Sequence, residues 1–161
     1  MKVRRIVFGI TLFSFSLVVL ARSSLRSGEQ LAEAHPHAYH DHPSTEPLPE
    51  TLDPSEFAND HAAFVVYRLA ALIKQTLFQV PCYCPCDRRQ GNTSLLDCYR
   101  DRHGVACPTC QKELLFCFRE QQKGKTPKQI REAIERGKAW KIDVAKSTQR
   151  IYSQALRSAQ R

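Results

Sequence analysis

The sequence has no cysteine outside residues 82–117, no methionine after Met1 and no internal repeat. Without a cysteine directly after the apolar N-terminus, a lipid-modified cysteine anchor is excluded, and without a repeat a solenoid is excluded. The lack of methionine argues against an exported copper shuttle with thioether ligands. The cysteines that are present are crowded into one short region, which is therefore the candidate functional site.

The length of 161 residues fits one domain with accessory segments. We predict a signal peptide or signal anchor at 1–21, a His/Pro-rich linker at 22–52, a Cys-rich helical domain at 53–142 and a basic, helical tail at 143–161. A domain of this size has a small core and often needs disulfides or metal to be stable.

The N-terminus reads as a targeting segment. Lys2, Arg4 and Arg5 precede an uncharged apolar run from Ile6 to Leu20. This pattern is typical of a secretory signal or an uncleaved signal-anchor helix. We therefore expect an extracytoplasmic protein, attached to the cytoplasmic membrane or secreted, with the membrane as one partner.

A capped helix is predicted directly before the cysteines. Asp53 is a suitable N-cap, Pro54 fits the first helical position and Glu56 completes a capping box. Apolar residues then recur at helical spacing from Ala62 to Phe78.

The cysteine stretch that follows is predicted to be extended. Pro81 and Pro85 disfavour helix, and alternate side chains of an extended chain share one face. Cys82, Cys84 and Cys86 would then point the same way, an arrangement that suits metal chelation and disfavours disulfides among them.

Two further helices carry the remaining cysteines. A capping box at Ser94 and Asp97 predicts a short helix that ends near His103, with Gly104 as its left-handed C′ residue. Pro108 then opens a helix that should run to about Gln122.

A last capping box, formed by Thr126 and Gln129 with Pro127 between them, predicts one more helix. Together these signals predict an all-α fold, a small bundle of three to four helices with a Cys-rich extended inset. The N-terminal hydrophobic signal or anchor helix precedes it.

Metal binding is the leading functional hypothesis. Clustered thiolates select thiophilic ions such as Cu(I) or Zn²⁺. The candidate ligands are all seven cysteines: Cys82, Cys84, Cys86, Cys98, Cys107, Cys110 and Cys117. A tetrahedral zinc site needs only four of them, for which Cys82, Cys84, Cys107 and Cys110 are suitable, whereas all seven could hold several Cu(I) ions. On this reading the protein is not an enzyme.

Two alternatives remain open. Small exported domains are often stapled by disulfides, although an odd number of cysteines leaves one thiol over. Cys107 and Cys110 also form a C-P-x-C pair at a helix N-terminus, which is typical of thiol redox proteins. No βαβ pattern precedes this pair, so a thioredoxin-like fold is not expected.

Four histidines in the linker form a weak accessory metal site. They fall within eight residues: His35, His37, His40 and His42. Neutral imidazoles bind Cu(II), Zn²⁺ or Ni(II), but ligands on a flexible segment bind weakly.

The net charge of +8 lies entirely in the C-terminal part, where residues 123–161 hold 11 Lys and Arg against 3 Asp and Glu. We interpret it as a solvated helical face, with phospholipid as the alternative contact. An exported protein is not expected to bind nucleic acid.

The motif Pro81-Cys82-Tyr83-Cys84-Pro85-Cys86, followed by Asp97-Cys98 and by Cys107-x-x-Cys110 with Glu113, resembles the bacterial PCYCGC-motif family. The resemblance runs from about Phe57 to Trp140 and implies an exported, helical, Cys-rich protein without an established activity. Two features differ, because Pro85 replaces the glycine of the motif and the lipid-modified cysteine of many members is missing. The family implies no catalytic residues.

Overall fold

The computed structural model describes residues 37–160, and this part of the chain contains seven α-helices, three 3-10 helices and no β-strand. The α-helices are α1 (His61–Leu72), α2 (Lys74–Phe78), α3 (Cys86–Gln90), α4 (His103–Ala106), α5 (Pro108–Gln121), α6 (Pro127–Glu135) and α7 (Val144–Ala159). The 3-10 helices are Pro54–Phe57, Leu95–Tyr99 and Ala139–Lys141. The predicted all-α class is confirmed, although the helices are shorter and more numerous than the three to four predicted.

The predicted signal or anchor segment and His35 lie outside the described residues. Within residues 37–160, no helix is both long enough and apolar enough to cross a membrane.

The first predicted helix begins later than its sequence signals indicate. Asp53 Oδ1 does accept the backbone N–H of Ser55 at 2.8 Å, but it caps only the 3-10 helix Pro54–Phe57. A second aspartate, Asp60, accepts the N–H groups of Ala62 and Ala63 at 3.0 Å and caps α1. The long helix therefore starts where the second cap lies.

The cysteine stretch is not the extended inset that was predicted. After Cys82 the chain bends at Tyr83 and Cys84, turns at Pro85 (φ −75°, ψ 37°) and enters α3 at Cys86. The prolines do interrupt the helix, as expected from their missing N–H groups. Because Pro85 adopts a turn conformation, the chain folds back instead of continuing as a strand.

The prediction for Ser94 and Gly104 is also wrong. Ser94 makes no capping hydrogen bond, and the segment after it is the 3-10 helix Leu95–Tyr99. Gly104 lies inside α4 and does not have a positive φ. A Cβ atom at this position would lie 2.7 Å from the Tyr99 ring, so a glycine is needed there for close packing.

The later helix signals are confirmed. Pro108 is the first residue of α5, as predicted. At the start of α6, Gln129 donates its N–H to Thr126 Oγ1 at 3.3 Å, and Thr126 donates its N–H to Gln129 Oε1 at 3.0 Å. This reciprocal pair is the predicted capping box.

One hydrophobic core joins these elements. Helix α1 packs against α5 and α7, and α5 also packs against α6. Tyr67 and Phe116 fill the interior, together with the fully buried Cys98, Cys110 and Cys117. The candidate site is thus built partly from core residues, whose positions are fixed by packing.

Residues 37–52, here called the docked segment, have no regular secondary structure but contact the helices. The His40 ring stacks on Phe78 with 3.7 Å between centroids. Arg131, which is 8% exposed, donates to Gln79 O at 2.7 Å and to Asp41 Oδ1 at 3.3 Å. These contacts hold the segment, which is part of the predicted linker, against the domain.

Candidate metal centre

Six side chains meet near the first turn of α5. They come from the bend before α3, from α3 itself, from the 3-10 helix Leu95–Tyr99, from α4 and from α5. They are Cys82, Cys84, Cys86, Cys98, His103 and Cys110. We call these six residues the cluster.

The sulfur atoms of the cluster are close to one another. Cys82 Sγ lies 3.1 Å from Cys84 Sγ and 3.4 Å from Cys110 Sγ. Cys84 Sγ lies 3.7 Å from Cys110 Sγ. A tetrahedral site with Zn–S bonds of about 2.3 Å places its sulfurs about 3.8 Å apart. The spacing is therefore close to that of a thiolate metal site.

His103 is a cluster member that was not predicted from the sequence. Its Nε2 lies 2.9 Å from Cys86 Sγ and 3.8 Å from Cys84 Sγ. In the sequence it is only a neighbour of Asp101 in a polar turn. No local pattern marks it as a ligand, because the fold alone brings α4 beside the cysteine bend.

Cys84 and Cys86 form a disulfide-bonded pair, with their Cα atoms 5.6 Å apart. The prediction that these alternating cysteines are poorly placed for a disulfide is therefore wrong. It assumed extended backbone, in which both side chains would stand parallel. The turn at Pro85 rotates Cys86 towards Cys84 instead.

The cluster contains two overlapping groups of four possible ligands, in each of which the ligand atoms lie within 4.8 Å of one another. The inner set is Cys82, Cys86, Cys98 and Cys110, all of them buried. The outer set is Cys84, Cys86, His103 and Cys110, of which two are half-buried. Either set has the ligand number and the ligand types of a zinc site.

Contacts within the cluster favour ionisation of one thiol and disfavour ionisation of its neighbours. Contacts with Cys110 and Cys82 lower the pKa of Cys98 to about 4, and Asn92 Nδ2 lies 3.4 Å from its sulfur. Contacts with Cys107, Cys82 and Cys98 raise the pKa of Cys110. With the Cys84–Cys86 disulfide closed, the metal-free protein thus holds a thiolate at Cys98 beside the neutral thiols of Cys82 and Cys110, and a bound cation would release further protons.

The pKa of Cys82 is also shifted by its neighbours in the cluster. Its contact with Cys110 lowers its pKa, but its contact with Cys98 and its burial raise the pKa by more. Without a cation, Cys82 therefore stays protonated beside the Cys98 thiolate.

A buried carboxyl group is hydrogen-bonded to the backbone of the bend at Tyr83 and Cys84. Glu113 is fully buried, and its Oε1 accepts the backbone N–H of Tyr83 at 3.0 Å. Its Oε2 has no hydrogen-bond partner. Burial raises the pKa of Glu113 well above its usual 4.5. The side chain thus fixes the bend as a neutral acid, a role that the sequence does not signal.

Two predicted ligands are not in either set. Cys107 is the N-cap of α5, where its Sγ accepts the N–H of Cys110 at 3.3 Å. Contact with Cys110 lowers the pKa of Cys107 to about 6. Cys117 is fully buried, and burial raises its pKa. It follows Cys110 by seven residues, which is about 10 Å along a helix. Metal ligation by either residue stays a prediction.

A family model described as "Protein of unknown function with PCYCGC motif" matches residues 23–150. The chain belongs to the PCYCGC family. The resemblance predicted from the motif is confirmed. No curated protein and no solved structure matches the chain.

Relative to the PCYCGC motif, this family member has Pro85 in place of the glycine. The ring fixes φ near −65° and removes the N–H, and Pro85 has φ −75° directly before α3. The substitution therefore favours the turn that brings Cys84 and Cys86 together.

Of the linker histidines that the structure describes, none belongs to either ligand set. His37 Nδ1 pairs with Asp87 Oδ2 at 3.2 Å, and His40 Nε2 contacts Thr93 Oγ1 at 3.3 Å. His42 is exposed. The predicted accessory site stays a prediction, and two of its imidazoles already have other partners.

Proposed function

We propose that this protein binds a thiophilic metal ion, Cu(I) or Zn²⁺, through the thiolates of the cluster, and that it stores or buffers this ion without catalysing a reaction. The observation that carries the proposal is the spacing of Cys82, Cys84 and Cys110, whose sulfurs lie within 3.7 Å of one another. Soft sulfur ligands select Cu(I) and Zn²⁺.

Burial strengthens this argument. Cys82, Cys98 and Cys110 are each at most 3% exposed. Cysteine can fill a core as a small apolar residue, but apolar packing alone does not account for a thiol of lowered pKa among these buried sulfurs. A bound cation offsets the charge that these groups acquire when they ionise.

We further propose that the protein acts outside the cytoplasm and is attached to the membrane. The support is the sequence alone, in which Lys2, Arg4 and Arg5 precede the apolar run from Ile6 to Leu20. Fusion of a reporter that is active only outside the cytoplasm, followed by membrane fractionation, tests both parts. Recovery of an inactive reporter in the soluble fraction would contradict them.

The metal proposal is tested by mass spectrometry of the protein purified without oxygen, under native and then denaturing conditions. We expect a mass excess of zinc or copper that denaturation removes. Cys82→Ala should lose the metal, whereas Cys117→Ala should keep it. Both cysteines are buried, so the pair separates lost ligation from lost packing. A metal-free native protein would overturn the proposal.

The Cys84–Cys86 pair favours a second candidate, a thiol–disulfide function. A purely structural disulfide is the weaker form of this candidate. A bond between residues two apart closes a minimal loop and stabilises the fold by only about 1.6 kcal/mol. Exchange is the stronger form, because Cys82 Sγ lies 3.1 Å from Cys84 Sγ. Cys82 is protonated at rest, so it must first lose its proton. Its sulfur would then form a bond to Cys84 Sγ and release the Cys86 thiolate.

Thiol trapping tests this second candidate. If exchange is the function, the purified protein should contain one disulfide and no metal, and peptide mapping after the free thiols are blocked should recover both the Cys84–Cys86 bond and the Cys82–Cys84 bond. A fully reduced, metal-loaded protein would exclude it.

A further inference from the structure

We infer that the cluster is a binuclear centre, in which two Zn²⁺ ions share the thiolates of Cys86 and Cys110. This inference rests on the proposed metal-binding function and specifies the number and the arrangement of the ions.

The first argument is geometric. Once the Cys84–Cys86 disulfide is reduced, the inner and outer sets each supply four ligand atoms, which lie within 4.8 Å of one another in the structure, and Cys86 and Cys110 belong to both. Two four-coordinate ions that used separate ligands would need eight donors. The cluster has only six, so two complete sites are possible only when two sulfurs bridge. A thiolate has enough lone pairs to bind both ions.

The second argument concerns the ligands that remain if only one ion binds. An ion in the inner set leaves Cys84 and His103 without a metal, although His103 Nε2 lies 3.8 Å from Cys84 Sγ and 2.9 Å from Cys86 Sγ. Both side chains are half-buried. A second ion uses both of them together with the shared sulfurs.

The third argument is charge. One Zn²⁺ with four thiolates has a net charge of −2, which is unfavourable in a buried site. Two Zn²⁺ ions with five thiolates and a neutral imidazole have a net charge of −1. Binding of the second ion therefore reduces the net negative charge of the site, even though the Cys84 thiol must also lose its proton.

The ligand types favour Zn²⁺ over Cu(I) for this arrangement. The outer set mixes three sulfurs with one imidazole, and zinc accepts both donor types in tetrahedral geometry. The inner set has sulfur only, which is typical of structural zinc sites. The buried inner ion is thus expected to bind more tightly than the half-exposed outer ion.

The test is a Zn²⁺ titration of the reduced full-length protein, followed by native mass spectrometry. Two ions per chain are expected, with the second bound more weakly. One ion at saturation would overturn the binuclear inference and leave the proposed function intact. No bound ion would overturn both.

Two variants assign the ions to their sets. His103→Ala should lower the count to one, and His61→Ala should leave it at two, because His61 is exposed and stacks on Tyr152 away from the cluster. Two ions retained by His103→Ala with unchanged affinity would overturn the assignment of the outer set.

Co²⁺ in place of Zn²⁺ tests the bridge directly. The first equivalent should produce the absorption and the paramagnetic resonance signal of tetrahedral Co²⁺. The second equivalent should increase the absorption but weaken the resonance signal, because bridging sulfurs couple the two spins. A resonance signal that doubles would show two separate ions and overturn the bridge. This readout does not depend on any variant being folded.

Discussion

Closing the Cys84–Cys86 disulfide should expel metal from the cluster. The bond removes Cys86 from both ligand sets and Cys84 from the outer set. The outer set then keeps only His103 and Cys110, while the inner set keeps three of its four ligands. Thiolates are the ligands, and a disulfide sulfur is a poor one, so oxidation and metal loading compete for the same two residues.

The size of the effect follows from counting ligands. Loss of even a hydrogen-bonding partner behind a metal ligand lowers affinity by roughly 10–100-fold. Loss of one ligand from the inner set should therefore weaken its ion by at least about 100-fold. The outer ion loses two ligands and should not bind measurably. The zinc content should thus fall from two ions to at most one weakly bound ion.

The assay compares reduced and oxidised protein in competition with a chromophoric zinc indicator. Peptide mapping first verifies that only Cys84 and Cys86 are joined in the oxidised sample. Cys84→Ala is the matched control, since it cannot form this bond, and its affinity for the inner ion should not depend on such oxidation. Equal affinity of reduced and oxidised wild-type protein would refute the ligand assignment of Cys86.

Three other changes test the supports of the site, each by urea unfolding of the reduced, metal-free protein. Gly104→Ala places a methyl group 2.7 Å from the Tyr99 ring. The overpacking should cost about 1–3 kcal/mol, more than the roughly 1 kcal/mol by which alanine favours a helix over glycine. An unchanged or higher free energy of unfolding would contradict the tight contact. Glu113→Gln should stabilise the protein increasingly relative to the wild type as the pH rises above 4.5, by up to about 1.4 kcal/mol per pH unit. The reason is that burial raises the pKa of Glu113 in the folded state, so ionisation of this carboxyl group opposes folding. A difference in the free energy of unfolding that stays constant or shrinks with pH would show that Glu113 ionises normally. Thr126→Ala removes the capping box of α6 and should cost about 1 kcal/mol, and no change in the free energy of unfolding would mean that the cap is not needed.

Signals that act over three or four residues predicted part of the structure, although those at Ser94 and Gly104 failed. The capping box at Thr126 and the proline at the start of α5 are confirmed because their hydrogen bonds and steric limits are local. The same rules placed the first helix at Asp53, where a cap does form, but they could not rank it against Asp60. Tertiary packing decides between two caps of similar strength.

The candidate site was less predictable, because its members are close only in space. The cysteine-rich region does hold the cluster, but His103 has no sequence signature, and Cys107, which has one, is in neither ligand set. Cys117 shares a helical stripe with Cys110, yet it lies about two turns farther along α5. Periodicity predicts which face a residue occupies, and it does not predict how far along that face a site extends.

The cluster is assembled from separate parts of the chain, since Cys82 and Cys110 are 28 residues apart. No ribosome-bound fragment that ends before α5 contains a complete ligand set. On the proposed function, an ion can therefore complete its coordination only once Cys110 has been synthesised, either after the domain has closed or in the step that closes it. In the second case, the rate at which new copies mature would depend on the supply of free metal, so starvation for the ion would appear as slow maturation before it appeared as empty protein.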